Sequence, residues 1–578
     1  MKRDSDWAGT ISDLALINGK VVTVDRSFHF AEAVAIKGDK IVAVGSNEEI
    51  KGFISSHYTE VLDLKGKAVL PGINDSHGHP TYLGGVRPPL ALDLSYPAIK
   101  SIEDLRDAIH EKAKSIQPGE WIRGFGWDQC FIEECKNDPS ILPRKTDIDE
   151  VSPENPVALA DHTGHTLLVN SKALSLAGIN QDTTDPVGGV IERDPNTGEP
   201  TGILKELAAH VLISSHIPVY SRKEKKEAIK TSIKELNANG ITSFTDAAIG
   251  PGGDSYVYGV MSSEIIELYR ELYEEGHLSV RMTILLLFGE YGTLSFNDMK
   301  NGLETFQVPS DLDPLWVRIP GVKVFADGIP PTKTAWMNED YLDGGHGSAS
   351  VPGATDEEQY NELVKLIAHA HKSGKQIGVH ATGDRAIDAT VDGFIKGYME
   401  KPIDDLRHYV IHGDFLSRST AERMAKYNFG VAMQPYIKSW LADILPALVG
   451  KDRTDHQFPM RMALDAGINL TGSSDAPMTP LNWRLGMQSA VLRESLTSGR
   501  VGGPDQCISL EEAVKIYTIN GAWQDHMEHL KGSIEVGKLA DLCILEKDLF
   551  SVDPHELHDI PVLMTIAGGK IVFDNLSR

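Results

Sequence analysis

Hydrophobic and polar positions alternate in short runs at both ends of the chain. The runs near the start are LALINGKVVTVD, AVAIKGDKIVAVG and EVLDLKGKAVL, and those near the end are GSIEVGKLADLCILE and VLMTIAGGKIVFD. Asn-Gly, Gly-Asp and Lys-Gly steps inside them favour tight turns between antiparallel strands. Because both ends share this character, we expect residues 1–70 and 526–578 to form one small β-sandwich, with the rest of the chain inserted between its halves.

A different pattern fills residues 237–525, where strand-sized apolar runs alternate with longer amphipathic segments. The runs are GITSFTDAA, LSVRMTILLLFG, PGVKVFADG, KQIGVHATG, RHYVIHGDF, FGVAMQP and GINLTGSSDAP. The segments between them, such as TDEEQYNELVKLIAHAHKSG, have helical periodicity and begin at a Ser or Thr cap. Repeated strand-then-helix order predicts a parallel sheet, and the strand ending in residues 71–80 brings the number to eight. Eight such units favour an α/β fold of the TIM-like (β/α)8 barrel type, with an open doubly wound sheet as the alternative.

Residues 81–236 interrupt this alternation between the first and second barrel strands. The segment has hydrophobic content of its own and is too long for a simple loop, so it predicts an inserted subdomain. Since it leaves from the carboxyl end of a barrel strand, we expect it over the barrel mouth.

Composition excludes several classes of partner. The formal net charge of -26, with no long basic run, argues against nucleic acid and anionic membranes as partners. The four cysteines show no CxxC spacing and are expected to be reduced. No apolar run is long enough to cross a membrane, and the opening residues MKRDSDWAG lack the apolar core of a secretion signal, so a cytoplasmic location is expected.

Two histidines stand two residues apart in PGINDSHGHP, directly after the apolar run KAVL. In an extended segment successive side chains alternate faces, so His77 and His79 point to the same side, where two imidazoles can bind one cation. A polar turn is the competing interpretation, because metal binding needs further ligands that the local sequence does not supply.

The ends of later barrel strands carry the missing types of ligand. They are Lys323 in GVKVFADG, His380 in IGVHATGD, His412 in VIHGD and Asp475 in TGSSDAP. Functional side chains of a (β/α)8 barrel collect at the carboxyl ends of its strands, so these residues are expected to converge with the two histidines. Imidazole nitrogens and carboxylate oxygens suit a divalent transition metal, zinc most obviously.

At this point the sequence resembles the amidohydrolase superfamily, and more closely its amidohydrolase-3 branch, related to N-substituted formamide deformylases. The motifs that carry the resemblance span nearly the whole chain: NGKVVTVD, PGINDSHGHP, WIRGFGWDQ, HTLLVNSKAL, GVKVFADG, HATGDRAI, GSSDAP and GSIEVGKLADLCILE. The resemblance implies a metal-dependent enzyme that hydrolyses a carbon–nitrogen bond, of amide or N-substituted formamide type, in a small molecule.

The resemblance also implies a ligand set for one or two metal ions. His77, His79 and Asp475 would hold the first ion, and His380 and His412 the second. Relatives often place a Glu directly before the sixth-strand histidine, whereas this chain has Ile411 there, which removes a possible acceptor for the ring.

Lys323 would bridge the two ions as a carbamate, formed when CO2 adds to its amine. An ammonium beside divalent ions would be repelled, whereas a carbamate supplies two anionic oxygens. The alternative is a core lysine paired with Asp327 in the same KVFAD stretch.

The mechanism implied by the resemblance depends on Asp475. Bound metal lowers the pKa of water so that hydroxide is available near neutral pH. Asp475 would act as general base towards this water and then as general acid towards the departing amine nitrogen. A structural helix N-cap is the alternative role for Asp475.

The insertion supplies secondary candidates in GWDQ and DHTGHT. They are Trp127, Asp128, His162 and His165. The resemblance places Trp127 and His165 near the substrate, with His165 as a donor to the developing oxyanion. Ordinary packed or surface histidines are the alternative.

Two other functions stay open. A deaminase of the same superfamily is the first, although such enzymes generally carry a Glu after the fifth-strand histidine, which HATGDRAI lacks. A non-catalytic ligand-binding protein on the same scaffold is the second. A homodimer is a further expectation from the resemblance.

Overall fold

The structure is a computed structural model that describes most of the chain. The described residues are 9–137, 141–186, 189–205, 207–254, 256–289 and 294–576. Residues 1–8, on which the expectation about a secretion signal rests, lie outside them. The chain divides into two compact units. The first comprises Met1–His79, Ile233–Gly253 and Ile266–Arg578, and the second comprises Pro80–Ser232 and Asp254–Ile265.

A parallel sheet of eight strands forms the centre of the first unit. In chain order the strands are Ile73–Gly78, Ile241–Ile249, Arg281–Leu286, Val317–Phe325, Gln376–Ala381, Tyr409–His412, Gly430–Met433 and Asn469–Gly472. Each strand is bonded to the next in chain order. The Ser76 hydroxyl links the first strand to the last by donating to Thr471 Oγ1 (2.8 Å) and to the Gly472 carbonyl (2.9 Å). The barrel is therefore nearly closed; the (β/α)8 prediction is confirmed, and the open doubly wound alternative is wrong.

Local sequence accounts for both kinds of barrel element. All nine positions of Ile241–Ile249 are buried, which is typical of parallel strands that are covered on both faces. The helix Asp356–Lys372 begins where predicted, because the Thr355 hydroxyl accepts from the amide of Glu358. The α-helices of this unit after the fourth strand are Asp356–Lys372, Asp384–Glu400, Arg418–Lys426, Pro435–Leu441, Pro446–Val449, Lys451–His456, Met460–Asp465, Trp483–Leu492, Leu510–Ile516 and Ile519–Gln524. Earlier helices are Asn47–Ile50, Phe296–Thr305 and Glu264–Glu274, the last of which begins in the second unit.

Both ends of the chain build the remaining sheets of the first unit. One sheet contains Leu14–Ile17, Ala33–Lys37, Lys40–Gly45 and Glu60–Asp63. The other contains Lys20–Val22, Phe30–Ala31, Ala68–Pro71, Leu542–Leu545, Val562–Ala567 and Lys570–Asp574. Ala68–Pro71 pairs antiparallel with Leu542–Leu545, so the two ends of the chain share a sheet. Leu16, Val69 and Leu542 belong to one buried cluster, as a sandwich of both ends requires.

The second unit has a six-stranded sheet of its own. Its strands are Leu92–Asp93, Ile122–Trp127, Val157–Asp161, Thr166–Val169, Val190–Arg193 and Pro200–Lys205. Its helices are Pro80–Gly85, Ile102–Ser115, Glu133–Asn137, Lys145–Asp149, Ser171–Leu176 and Leu207–Ser214, and the helix Arg222–Ala238 begins in it. Separate buried clusters form on this sheet, one around Leu105 and Leu159 and one around Leu174 and Leu204. The insertion thus has its own core.

Two further expectations bear on the whole chain. Cys130, Cys135, Cys507 and Cys543 are free thiols. Among the described residues, no helix combines the length and apolar character needed to span a membrane.

Candidate metal centre

The first and last barrel strands meet at their carboxyl ends and carry three of the predicted ligands. The Asp475 amide donates to the carbonyl of His77 (2.9 Å), and the His79 amide donates to the carbonyl of Ala476 (2.8 Å). These backbone bonds place Asp475 Oδ1 3.3 Å from His77 Nε2 and 3.6 Å from His79 Nε2. Both imidazoles therefore point at one carboxylate, as the His-x-His spacing predicts.

The fifth and sixth strands bring two more imidazoles to the same end of the barrel. The ring centroids of His380 and His412 are 4.4 Å apart, and those of His77 and His412 are 5.5 Å apart. His77, His412 and Asp475 each offer one ligand atom, and these atoms lie within 4.8 Å of one another. One histidine from each of the two predicted ligand sets thus joins the same cluster.

Hydrogen bonds on the outer ring nitrogens orient three of the imidazoles. His79 Nδ1 donates to the Ala247 carbonyl (2.9 Å), and His380 Nε2 donates to the Gly328 carbonyl (3.0 Å). His412 Nδ1 donates to the side-chain oxygen of Gln434 (2.7 Å). Each acceptor is an oxygen without a proton, so these outer nitrogens carry the proton of the neutral ring. The other nitrogen of each ring keeps a lone pair for a metal.

Lys323 lies in the fourth strand and is fully buried. Its Nζ has no hydrogen-bond partner and sits 4.6 Å from the centroid of the Phe325 ring. Burial lowers the pKa of this amine to about 7, against the opposing effect of Asp475. Asp327 instead accepts from the amides of Thr382 (3.0 Å) and Gly383 (2.8 Å). The alternative of a Lys323–Asp327 pair is therefore wrong.

Two of the clustered residues hold a strained backbone. Asp475 has a φ of 58° and His412 a φ of 73°, in the left-handed region that residues other than glycine rarely adopt. Such strain costs about 1–3 kcal/mol and is concentrated at functional sites. The next helix begins only at Trp483, after Asn482, so the alternative of Asp475 as a helix N-cap is wrong.

The electrostatics of the cluster suit a cation. Burial lowers the pKa of His77, His79 and His412, so these rings are neutral and able to act as ligands. Two buried polar atoms among the described residues of the cluster, His77 Nδ1 and Lys323 Nζ, have no hydrogen-bond partner. Neutral imidazoles, one carboxylate and unsatisfied buried nitrogens fit a divalent transition metal.

A second acidic residue, Asp75, connects the first barrel strand to the residues that follow the last one. Asp75 is buried, and its Oδ1 accepts from the amide of Ser474 (3.0 Å). Burial raises the pKa of Asp75 to about 7. Asp75 therefore braces the backbone that carries Asp475.

The candidates from the insertion lie in the second unit. Trp127 is 2% exposed, belongs to a buried hydrophobic cluster and donates from Nε1 to the Leu159 carbonyl (3.0 Å). His162 Nδ1 lies 3.4 Å from Asp128 Oδ2. The backbone amide of His165 donates to Thr163 Oγ1 (3.1 Å). These contacts give Trp127 a packing role in its own unit, and substrate contact by Trp127 or His165 stays a prediction.

Gln434 is the site residue that sequence reasoning missed. It follows the seventh strand, is fully buried and touches His412 directly. The sequence contains no signal for this role, because Ile411 shows only that the preceding residue is not an acceptor and does not indicate which residue is.

Comparison with known proteins identifies the family and supports the fold. The chain is 29% identical over 566 residues to the N-substituted formamide deformylase of Arthrobacter pascens, covering 97% of this chain and 98% of the relative. It is 31% identical over 572 residues to the protein LONG AFTER FAR-RED 3 of Arabidopsis thaliana, covering 98% of this chain and 92% of the relative. The crystal structure of an uncharacterized metal-dependent hydrolase from Pyrococcus horikoshii OT3 shares the fold, with a TM-score of 0.70 at 23% identity over 94% of this chain and 99% of that chain. The model of the amidohydrolase family matches residues 60–573, and the chain belongs to that family.

Proposed function

We propose that this protein is a metal-dependent hydrolase that cleaves a carbon–nitrogen bond of a small molecule, of the amide or N-substituted formamide type. The observation that carries the proposal is the buried cluster of His77, His412 and Asp475, with the partnerless amine of Lys323 in the same barrel end. Membership of the amidohydrolase family supports it, and the name of the Arthrobacter pascens relative suggests the class of bond.

The donor set divides naturally between two ions. His77, His79 and Asp475 would hold one, and His380 and His412 the other. Zinc suits these ligands best. Such an ion supplies a Lewis acid, which lowers the pKa of water and polarises a carbonyl group.

Lys323 is suited to modification by CO2. With a pKa of about 7, a large fraction of this buried amine is neutral at physiological pH, and the neutral form is the nucleophile. Its nitrogen bonds to the carbon of CO2 and loses one proton, which leaves a carbamate. The product carries one negative charge shared by two oxygens where the amine had none, so it would be attracted to the bound cations.

Asp475 is suited to carry a proton between water and the leaving group. It takes a proton from water as the water oxygen bonds to the carbonyl carbon. It then gives that proton to the nitrogen as the carbon–nitrogen bond breaks, and the products are a carboxylic acid and an amine. The hydrogen bond from the Asp475 amide to the His77 carbonyl (2.9 Å) keeps this residue in position.

The test combines metal analysis with a product assay. Purified protein is analysed for zinc, manganese, iron and cobalt, and is then incubated with N-substituted formamides and anilides with and without a strong chelator. We expect bound divalent metal and release of amine and carboxylate, detected by mass spectrometry, that the chelator abolishes. Ammonia released from amino-substituted heterocycles assayed in parallel, without turnover of the amides, would identify a deaminase instead. Metal without turnover of any of these compounds would favour the non-catalytic scaffold.

A further inference from the structure

His412 differs from the other anchored histidines in the nature of its acceptor. His79 and His380 donate to backbone carbonyls, which no substitution of the accepting residue removes. His412 donates to a side chain, the carboxamide of Gln434, at 2.7 Å. Its orientation therefore depends on the identity of one residue.

The network around Gln434 determines which end of its amide faces the histidine. Gln434 Nε2 donates to Ser473 Oγ (2.8 Å) and to the carbonyl of Ala432 (3.2 Å). If the amide were flipped, its oxygen would face the Ala432 carbonyl, which has no proton to give. The side chain is fully buried, so water cannot take the place of either partner. Gln434 Oε1 is therefore held towards His412.

An oxygen acceptor at Nδ1 determines the state of the whole ring. It requires the proton of neutral His412 to be on Nδ1, which leaves the lone pair on Nε2. It also fixes the ring plane at a residue whose φ of 73° holds the backbone in a strained conformation. The ring stands edge-on to both His77 and His380, at interplanar angles of 88° and 73°.

We propose that Gln434 is the positioning residue of the metal centre, which holds His412 in the Nδ1-protonated tautomer with Nε2 directed at the metal. Gln434 supplies this acceptor from the end of the adjacent strand. A neutral amide orients the ring without adding negative charge to a barrel end that already contains Asp75 and Asp475. This inference rests on the proposed metal site and goes beyond it by assigning a residue that touches no metal.

Metal affinity provides the first test. Zinc binding is measured by competition with a chromophoric chelator for the wild type, Gln434→Met, Gln434→Glu and Gln376→Met. Methionine keeps the length of glutamine but accepts no strong hydrogen bond, so we expect Gln434→Met to bind zinc about 10–100-fold more weakly, as is usual for such supporting residues. Glutamate keeps the acceptor for His412 but places its second oxygen against the Ala432 carbonyl, so Gln434→Glu should bind zinc more tightly than Gln434→Met.

Gln376→Met is the matched control. Gln376 is also buried and donates to two backbone carbonyls, those of Arg407 and Gln524, but it is the first residue of the fifth strand, at the amino end of the barrel. Its loss should lower stability without changing zinc affinity. Equal zinc affinity in Gln434→Met and the wild type would overturn the proposal, as would equal losses in Gln434→Met and Gln376→Met.

Neutron diffraction provides a second test that needs no variant and no metal. In deuterium-exchanged crystals of the metal-free wild type, we expect deuterium on Nδ1 of His412 and none on Nε2. Deuterium on Nε2 alone would overturn the proposal even if the protein binds zinc. Conversely, a wild type that binds no metal contradicts the proposed function, while the neutron result still decides the role of Gln434 in orienting the ring.

Discussion

Buried ionisable groups at the two ends of the barrel differ in whether they have hydrogen-bond partners. At the amino end Arg281 Nε donates to Asp541 Oδ2 (2.7 Å), and Asp525 Oδ2 accepts from Lys531 (2.7 Å) and Asn74 (2.8 Å). At the carboxyl end His77 Nδ1 and Lys323 Nζ are buried with no hydrogen-bond partner.

The pKa shifts follow the same division. Burial alone would raise the pKa of Asp541, yet the guanidinium of Arg281 holds it below its ordinary value. At the other end burial lowers the pKa of Lys323 to about 7, and the charge of Asp475 offsets only part of this effect. A buried charge destabilises a fold unless it is paired. Arg281, Asp541, Asp525 and Lys531 thus find partners within the chain, whereas His77 Nδ1 and Lys323 Nζ remain available to a bound ligand.

The largest effect should come from exchanging an acid for its amide at each end. Asp475→Asn should lower kcat by about 10²–10⁴-fold, because the amide cannot carry the proton, and should leave the free energy of unfolding nearly unchanged. Asp541→Asn should lower the free energy of unfolding and leave kcat nearly unchanged. Steady-state kinetics and urea denaturation of both variants check this, and an active Asp475→Asn enzyme would remove this aspartate from the mechanism.

Removing the guanidinium of Arg281 at the amino end of the barrel should strongly destabilise the fold. Arg281→Met leaves Asp541 buried beside no guanidinium, and we expect the free energy of unfolding to fall by about 3–5 kcal/mol. Urea denaturation of the metal-free protein measures this change in the free energy of unfolding. A loss below about 1 kcal/mol would show that this ion pair does not stabilise the barrel as described.

Replacing the basic residue at the carboxyl end by methionine should change the free energy of unfolding in the opposite direction. Lys323→Met removes a buried amine that has no partner, so the metal-free variant should be more stable than the wild type, by about 1–4 kcal/mol. It should also lose turnover, because methionine cannot form a carbamate. Unchanged metal content and turnover would count against the carbamate, and lower stability would mean that the amine has a partner in solution.

The smallest effect concerns a pair of histidines near the amino end. His408 Nδ1 accepts from the amide of Ile377 (3.1 Å), its Nε2 donates to His371 Nδ1 (2.8 Å), and His371 Nε2 donates to the Lys401 carbonyl (2.9 Å). This chain of bonds requires both rings to be neutral, and burial lowers the pKa of each below the ordinary value of 6.5. The stability they provide is complete above the unfolded pKa of 6.5 and is lost as pH falls towards the lower folded values.

The measurement is the free energy of unfolding as a function of pH between 5 and 7. His408→Asn keeps an acceptor for Ile377 but cannot be protonated, so its slope should be shallower than that of the wild type by up to about 1.4 kcal/mol per pH unit. Identical slopes would show that His408 does not contribute to acid sensitivity.

Much of this architecture was predictable because it depends on local patterns. Each barrel strand is a short apolar run, and the residues at its end, such as His77, Lys323 and Asp475, fall at the carboxyl edge by topology alone. Gln434 was not predictable, since its role depends on the distance between the ends of two neighbouring strands. Its residue type has no metal-ligand signature either.

The packing contacts within the second unit could not be predicted from the sequence either. The resemblance places Trp127 of WIRGFGWDQ near the substrate, which stays a prediction, but it gives no sign that this ring lies in a hydrophobic cluster with its indole N–H bonded to a strand carbonyl. Residues 254–265 also join this unit, far along the chain from its main segment. The rings of Tyr258 and Tyr220 lie 5.7 Å apart, a contact without a sequence signature.

Anomalous X-ray diffraction from crystals grown with zinc tests the central claim most directly. The account predicts strong anomalous peaks, recorded above but not below the zinc absorption edge, one within bonding distance of His77 and Asp475 and one within bonding distance of His412. A map without a peak among these three side chains, from crystals that bind zinc elsewhere or not at all, would contradict it.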